Sequence, residues 1–257
     1  MSGIALLDPA WTPPAGVRMA FATRAGGASV GTYDSLNFGL HVGDAAAAVL
    51  ENRRRLCAAL ALPREPLWLN QVHGTHVCRD LDAAEPSPLT PPPLTPPPTA
   101  DAVVTARVGV VAAIQVADSI PVLFATSNGR AIAAAHAGWR GLAAGVLEST
   151  LHGLDAAPEH VHAWLGPAIG AAHFEVGDEV RDTFVGGDAG AAQHFAINAR
   201  GRWQCDLLAL ARRRLAALGV VRVTGGQWCT FSDPARFFSH RRESPCGRMA
   251  ALIWREP

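Results

Sequence analysis

A short apolar run that ends in a histidine most constrains how this chain can fold. Residues 131–135 read Ala-Ile-Ala-Ala-Ala and deliver His136 to the end of a predicted strand. Gly138 follows, and after Arg140 a pattern typical of a helix covers residues 142–154. In α/β proteins such junctions place side chains in crevices and aim backbone N–H groups at anions. The segment therefore predicts a strand–turn–helix unit with an imidazole at its tip.

A second candidate histidine follows another apolar stretch. Residues 66–69 read Pro-Leu-Trp-Leu and predict a strand, from which polar residues lead to His73, with Gly74 directly behind it. A glycine at this place suits a bulge or a close backbone approach. His76 has the opposite parity on a continuous strand and is predicted to lie at the surface. We therefore expect His73 to be the functional histidine.

A polar step formed by Asp118 and Ser119 interrupts two apolar runs, residues 108–116 and 121–124. Unpaired polar groups inside buried strands cost free energy. The step predicts either a polar turn capped by Asp118 or a functional pair at the end of a strand.

The order of the periodicities predicts an α/β fold, a single domain with a mixed β-sheet flanked by helices. Strands are predicted at 17–23, 67–79, 102–116, 120–126, 161–165, 221–228 and 249–254, and helices from a cap at Asp44 to residue 60 and near 142–154, 176–185 and 205–218. With 257 residues, 49% of them hydrophobic, the chain can bury the core of one domain, predicted as 1–257. Eight prolines within residues 86–98 predict an exposed loop.

Composition narrows the classes of function. The formal net charge is zero, so nucleic-acid binding has no electrostatic support, and no apolar run approaches the roughly 20 residues of a bilayer span. Five cysteines without a paired spacing predict free thiols in a reducing compartment, the cytoplasm. All 22 basic side chains are arginine, which excludes lysine chemistry and leaves arginine to contact anions. Oligomeric state does not follow from the sequence.

Charged residues near the candidate histidines are predicted to bind substrate. The predicted anion contacts are Arg24, Arg140, Arg242 and Arg248, each with the alternative of a solvated or salt-bridged surface residue. Arg140 is preferred because a helix N-terminus adds backbone donors and the positive end of a dipole. Asp118 is predicted to orient a histidine, and Glu175 is a further acid candidate whose alternative is a carboxylate at a helix start.

Further motifs lie on both sides of these candidates in a fixed order. They are TRAGGAS at 23–29, SLN at 35–37, HVGD at 41–44, NR at 52–53, ADAVVT at 100–105, LGPAIG at 165–170, FEVG at 174–177, CTFSD at 229–233, FFSHRR at 237–242 and GRMA at 247–250. With the segments around His73, Ser119 and His136, they show that the chain resembles the YfiH family, also called the polyphenol-oxidase, laccase-domain or peptidoglycan-editing-factor family. The resemblance covers nearly the whole chain and implies a fold like that of cytotoxic-necrotizing-factor-like cysteine hydrolases.

The resemblance implies a metal-capable pocket made of two histidines and one cysteine. On this chain the histidines correspond to His73 and His136, and Ser119 stands at the cysteine position. The implied metal is zinc, with copper as the alternative. A serine hydroxyl is a much poorer ligand than a thiolate, so the site is expected to be weakened. As a nucleophile Ser119 needs an adjacent base, which His73 or His136 can supply. A natural variant, a degenerate enzyme and a deliberate replacement are all compatible with this serine.

The resemblance also implies purine nucleoside chemistry: phosphorolysis of adenosine, inosine and methylthioadenosine, and deamination of adenosine. The implied partners are a small-molecule nucleoside and phosphate, and turnover is expected to be slower than in a Ser119→Cys protein. Three alternatives stay open: copper-dependent oxidation of phenols, hydrolytic editing of a peptidoglycan precursor, and binding without catalysis. Too few clustered histidines disfavour the first, and Ser119 favours the last.

Overall fold

Two β-sheets packed face to face form the centre of the protein, with helices on both outer faces. The structure is a computed structural model that describes residues 3–79 and 96–256. This arrangement confirms the predicted α/β domain with a mixed sheet flanked by helices. The predicted proline-rich loop at residues 86–98 lies outside the described residues except for its last three positions.

The strands are β1 (Val17–Ala22), β2 (Val77–Arg79), β3 (Ala102–Thr105), β4 (Val111–Val116), β5 (Ile120–Thr126), β6 (Ile132–Ala137), β7 (Val161–Leu165), β8 (Glu175–Val176), β9 (Phe195–Ile197), β10 (Trp203–Cys205), β11 (Arg222–Gly225) and β12 (Met249–Arg255). The α-helices are α1 (Ala46–Leu60), α2 (Trp139–Ala144), α3 (Val146–Leu154), α4 (Asp178–Gly187) and α5 (Leu207–Ala217). Short 3-10 helices cover Gly31–Tyr33, Pro158–His160, Ala171–His173 and Ala189–His194.

The larger sheet has six strands in the order β11-β7-β5-β6-β3-β2. Its outermost pairs, β11 with β7 and β2 with β3, are parallel, and its inner pairs are antiparallel. The facing sheet, β1-β12-β4, is entirely antiparallel. A third small antiparallel sheet, β8-β10-β9, lies near the start of α4.

Side chains alternate between the two faces of the larger sheet along its central strands, so each face has its own hydrophobic core. In β5, Val122 and Phe124 pack against the helices, whereas Leu123 and Ala125 fill the gap between the two large sheets. The outer face of β1-β12-β4 packs against α1. By the same alternation, β6 directs His136 towards the gap between the sheets, where the strands end.

Two predicted strands and one predicted cap are wrong. Over residues 67–79 only β2 is regular, because His73 adopts a left-handed φ of 61° that ends the extended path. Residues 102–116 form two strands, because the chain turns at Gly109 with a φ of 78°. Helix α1 has Ala45 as its N-cap with no side-chain bond, whereas the carboxylate of Asp44 accepts hydrogen bonds from the Ser29 hydroxyl and the Asn37 amide.

The single helix predicted at 142–154 is two helices, because Gly145 with a φ of 101° ends α2 before α3 begins. The other predicted strands and helices correspond to observed elements with shifted ends, β11 being shorter than expected. All five cysteines carry free thiols. Within residues 3–79 and 96–256, no helix combines the length and the apolarity needed to cross a membrane.

Candidate active site

A cavity of about 700 Å³ opens where β4, β5 and β6 end or begin, beside the start of α4. Most of the predicted site residues line it, namely His73, Asp118, Ser119, His136, Arg140, Glu175 and Arg248. Arg24 and Arg242 do not. The loops after β4 and β6, the His73 segment and the segment before β12 therefore converge on one space.

The strand register brings Ser119 beside the two histidines. In the antiparallel β5–β6 pair, Pro121 lies opposite His136, so Ser119 precedes β5 on the same face. A Cβ atom added to Gly138 would lie 2.5 Å from Nδ1 of His73 and 3.1 Å from Oγ of Ser119. The His73 imidazole and the Ser119 hydroxyl therefore both lie so near Gly138 that only a residue without a Cβ atom fits there.

A buried carboxylate, Asp101, fixes the His73 segment. Its side chain is fully buried, and it accepts hydrogen bonds from the backbone N–H groups of Val72, His73 and Gly74 at 3.1, 2.9 and 2.6 Å. Three donors on one carboxylate hold the left-handed turn at His73 in place. The unusual backbone at His73 is therefore supported by a side chain almost thirty residues away in sequence.

The same carboxylate holds His136. Nδ1 of His136 lies 2.8 Å from Oδ1 of Asp101. Because an ionised carboxylate only accepts hydrogen bonds, the proton of a neutral His136 sits on Nδ1 and leaves Nε2 as an acceptor. The His136 and His73 rings are 4.7 Å apart and meet edge to face at 67°. One buried acid therefore positions both imidazoles.

The pKa values fit a neutral imidazole beside an ionised acid. Desolvation in the cavity lowers the pKa of His73, and nearby His136, Arg140 and Arg248 add to this against the opposing charge of Asp101. Burial alone would raise the pKa of Asp101, but the hydrogen bonds from His136 and the backbone outweigh it and hold that pKa below its ordinary value. At neutral pH His73 is thus free to accept a proton or to bind an electrophile.

The donor set does not make a strong metal site. Two imidazoles and the neutral hydroxyl of Ser119 converge, whereas closed or catalytic zinc sites use at least three nitrogen, thiolate or carboxylate ligands. Asp101 is already bonded to the far side of the His136 ring. In the described part of the chain no group of three or more His, Cys, Asp or Glu side chains could hold a metal ion.

Among the described residues Asp118 bonds to no histidine, whereas the sequence predicted that it orients one. Its carboxylate accepts hydrogen bonds from the Thr230 hydroxyl at 2.6 Å and from the backbone N–H of Arg241 at 2.7 Å. It therefore ties the end of β4 to the C-terminal loops. Asp101 performs the predicted role instead, and its only sequence signal was the ADAVVT motif at the start of β3.

The predicted arginines separate into two groups. Arg24 donates to Glu243 at 2.9 Å and Arg242 to Glu243 at 2.8 Å, and both also donate to backbone carbonyls, so they hold loops together away from the cavity. Arg140 stacks on Trp139 at 4.3 Å, and no acceptor among the described residues takes a hydrogen bond from its side chain. Arg140 is therefore a cation at the cavity wall that is available to an anion.

Two further predicted contacts line the cavity. Arg248 donates from Nη1 to the backbone carbonyls of Cys246 and Gly247, and no carboxylate of the described residues pairs with it. Glu175 pairs with Arg200 and accepts from the Asn198 amide, so residues of the β9–β10 turn compensate its negative charge.

Comparison with known proteins fits this architecture. Residues 18–256 match the family described as multi-copper polyphenol oxidoreductase laccase. The chain belongs to this family. A purine nucleoside phosphorylase from Pseudomonas aeruginosa is 49% identical over 251 residues, covering 97% of this chain and 98% of that protein. The purine nucleoside phosphorylase YfiH from Escherichia coli is 47% identical over 249 residues, with the same coverage of 97% and 98%.

Solved structures share the fold. A Neisseria meningitidis protein is 43% identical with a TM-score of 0.89, and the match covers 100% of both chains. A Bacillus licheniformis protein named YfiH is 27% identical with a TM-score of 0.83 over 93% of both chains. These relatives confirm the resemblance to the YfiH family and the fold that it implies.

Proposed function

We propose that this protein is a purine nucleoside phosphorylase acting on adenosine, inosine and methylthioadenosine. The observation that carries the proposal is the pair His73 and His136, held by Asp101 in the same cavity as Arg140, which forms no ion pair with any described residue. The names of relatives that share nearly half of the sequence over almost their full length support the same activity.

The reaction needs an anion site and a proton carrier. An oxygen of hydrogen phosphate attacks C1′ of the nucleoside, and the C1′–N9 bond breaks with its electron pair going to the purine. Overall, the proton of hydrogen phosphate ends on the purine nitrogen. Arg140 is suited to bind the phosphate by paired N–H donors, and neutral His73 is suited to relay the proton.

The remaining parts of the proposal concern the metal and deamination. Family membership suggests zinc, or copper, at His73, Ser119 and His136, but the donors present fit a metal poorly. We therefore propose weak metal binding and slow or absent adenosine deamination in this chain. Replacing Ser119 by cysteine adds the thiolate that zinc prefers.

A hydrolase is the second candidate, and one observation favours it. Ser119 shares a strand face with His136, whose Nδ1 is bound by Asp101. A hydroxyl, an imidazole and a buried acid form the set used for nucleophilic attack on an amide, as editing of a peptidoglycan precursor would require. Copper-dependent phenol oxidation needs several clustered metal ligands and has less support in the described residues. A non-catalytic binding protein is the outcome if no turnover is found.

The deciding experiment compares this protein with its Ser119→Cys variant. Adenosine and inosine are incubated with each protein with and without phosphate, and the products are separated by chromatography. Phosphate-dependent release of free base supports phosphorolysis. Base or inosine from the cysteine variant alone would mean that Ser119 disables the site. Equal turnover by both proteins would contradict the weakened-site hypothesis, and no product from either would favour hydrolysis or binding.

A zinc titration separates metal affinity from activity. Competition with a coloured chelator is expected to show at least about tenfold tighter zinc binding by the Ser119→Cys variant. A Gly186→Cys variant, which adds a thiol at an exposed position outside the cavity where a new Cβ atom meets nothing within 4 Å, controls for the added thiol. Equal zinc affinity in all three proteins would contradict the proposed ligand role of position 119.

A further inference from the structure

Gln115 is a buried polar side chain that the proposed chemistry does not use. It lies near the end of β4, is only 5% exposed and lines the cavity. Its side-chain oxygen Oε1 is shielded from solvent and has no hydrogen-bond partner among the described residues. Buried acceptors without donors are costly and rare in native proteins. Because Gln115 lines the cavity, a turn of its amide would bring this oxygen to a donor on a bound molecule.

The position of Gln115 is fixed before any ligand binds. The Gln71 amide donates from Nε2 to the Gln115 carbonyl and accepts from the Gln115 N–H, both at 2.8 Å. On the other side, β12 pairs Ala250 with Gln115 in the sheet. These bonds satisfy the backbone of Gln115 and leave its side-chain amide for recognition, which is how a pre-organised specificity contact is built.

Gln115 and the histidines belong to different walls of the cavity. His136 faces the gap between the large sheets, whereas Gln115 lies on the opposite face of β1-β12-β4, with the alternate residues Val111 and Ala113. Both reach the same cavity because they lie where their strands end. A bound molecule can therefore contact the reacting groups with one part and Gln115 with another.

We propose, building on the phosphorylase function above, that the Gln115 amide recognises the six-substituted edge of the purine base. A primary amide presents an acceptor and a donor side by side. Adenine offers the matching pair, N6–H as donor and N1 as acceptor. Hypoxanthine offers the reverse, O6 as acceptor and N1–H as donor. A half-turn of the amide about its last bond exchanges Oε1 and Nε2, so one residue accepts both 6-amino and 6-oxo purines.

The test measures nucleoside binding by calorimetry without phosphate. The ligands are adenosine, inosine and N6,N6-dimethyladenosine, which lacks the N6–H donor. The protein is expected to bind the first two with similar affinity and the third at least about tenfold more weakly. In Gln115→Leu all three should bind with one similar, weaker affinity. With phosphate present, KM for adenosine should rise about tenfold while kcat changes little.

Gln204→Leu is the matched control. Gln204 also has a buried Oε1 without a partner, but it lies on β10 outside the cavity, so its loss should leave all three affinities unchanged. Gln115→Met keeps the length of the side chain and gives the same expectation if the leucine variant fails to fold.

The outcomes separate this inference from the phosphorylase proposal. If Gln115→Leu and Gln115→Met bind adenosine as tightly as the parent, or still discriminate against the dimethyl analogue, the inference is wrong while the activity stands. If the parent protein neither binds nor cleaves any of the nucleosides, the proposed function fails and the inference fails with it.

Discussion

A single buried carboxylate organises the candidate site at the scale of residues. Asp101 binds the backbone on both sides of His73 and the ring of His136. Four hydrogen bonds to one acid make the two histidines interdependent. Losing that acid should therefore disturb the positions of both rings, although Asp101 itself is fully buried and does not line the cavity.

We predict that Asp101→Asn lowers both stability and turnover. Asparagine has the same size as aspartate, but an NH₂ group replaces one of the two accepting oxygens. This NH₂ donor would face the N–H donors that now bind the carboxylate. The free energy of unfolding should fall by about 1–3 kcal/mol, and kcat should fall by about 10- to 100-fold. Urea denaturation and nucleoside turnover measure the two effects.

Asp233→Asn provides the control for this change. The Asp233 carboxylate accepts from Nε and from the backbone N–H of Arg236 at the protein surface, so replacing it by asparagine should cost less than about 1 kcal/mol and leave turnover intact. Full activity in Asp101→Asn would show that the carboxylate is structural only.

At the scale of elements, the β6–α2 junction decides how closely the site can pack. Gly138 is the N-cap of α2 and has an ordinary φ of −69°, so space rather than backbone strain requires glycine here. Gly141 lies one turn further on, where an added Cβ would come within 2.9 Å of the Gly74 carbonyl. The start of α2 thus touches the His73 segment directly.

We predict that Gly138→Ala abolishes most of the activity without unfolding the protein. The methyl group would come within 2.5 Å of His73 Nδ1, so the ring must move away from Ser119 and His136. Gly186→Ala, in α4, meets nothing within 4 Å and should keep full activity, with a stability gain of up to about 1 kcal/mol. Undiminished turnover in Gly138→Ala would place the chemistry elsewhere in the cavity.

The β7–β11 edge carries a pH-sensitive contact. Arg222 Nη1 lies 2.7 Å from His162 Nε2, and because a guanidinium only donates, this nitrogen must be unprotonated. Burial and the charge of Arg222 lower the pKa of His162. The unfolded chain therefore protonates His162 more readily than the folded protein does. The contribution of His162 to the free energy of unfolding is fully present above about pH 6.5 and is lost as the pH falls through the folded pKa.

We therefore predict a smaller loss of stability on acidification for His162→Gln. Urea unfolding at pH 7 and at about pH 5 should show a smaller decrease for the variant than for the parent, because glutamine does not titrate. The difference should be modest, since both side chains are partly exposed to solvent. Identical decreases in both proteins would mean that the contact does not influence stability.

At the scale of the whole molecule, the packing of two sheets holds the cavity walls in register. The core between them includes Phe21, Leu123 and Trp164, all fully buried. Because His136 and Gln115 belong to different sheets, their relative position depends on this core. The cavity is therefore a property of the two-sheet architecture and not of any one motif.

We predict that Leu123→Ala lowers the free energy of unfolding by about 2–5 kcal/mol, because it leaves a void in the inter-sheet core. Val221→Ala, which alters a side chain that is 75% exposed, should change it by no more than about 0.5 kcal/mol. Urea denaturation compares the two. Equal small changes would show that the gap between the sheets can collapse to fill the void.

The sequence by itself determined the local elements and the residue types available for chemistry. Apolar periodicity located most strands and helices, and the run ending at His136 correctly predicted a strand–turn–helix junction. The prediction from periodicity failed where a left-handed φ interrupts a strand, as at His73 and Gly109. The φ angle depends on tertiary contacts, about which the pattern of apolar residues carries no information. The grouping of His73, Ser119 and His136 came from the family resemblance, not from spacing.

Only the tertiary structure decided which side chains meet. Asp101 and His136 are 35 positions apart and become partners through the pairing of β3 with β6. The sequence proposed both Arg24 and Arg140 as anion contacts, yet Arg24 pairs with Glu243, whereas Arg140 lines the cavity and pairs with no acid among the described residues. Hydrogen bonds act over about 3 Å, so they depend on strand register and sheet packing, which arise from the whole chain at once.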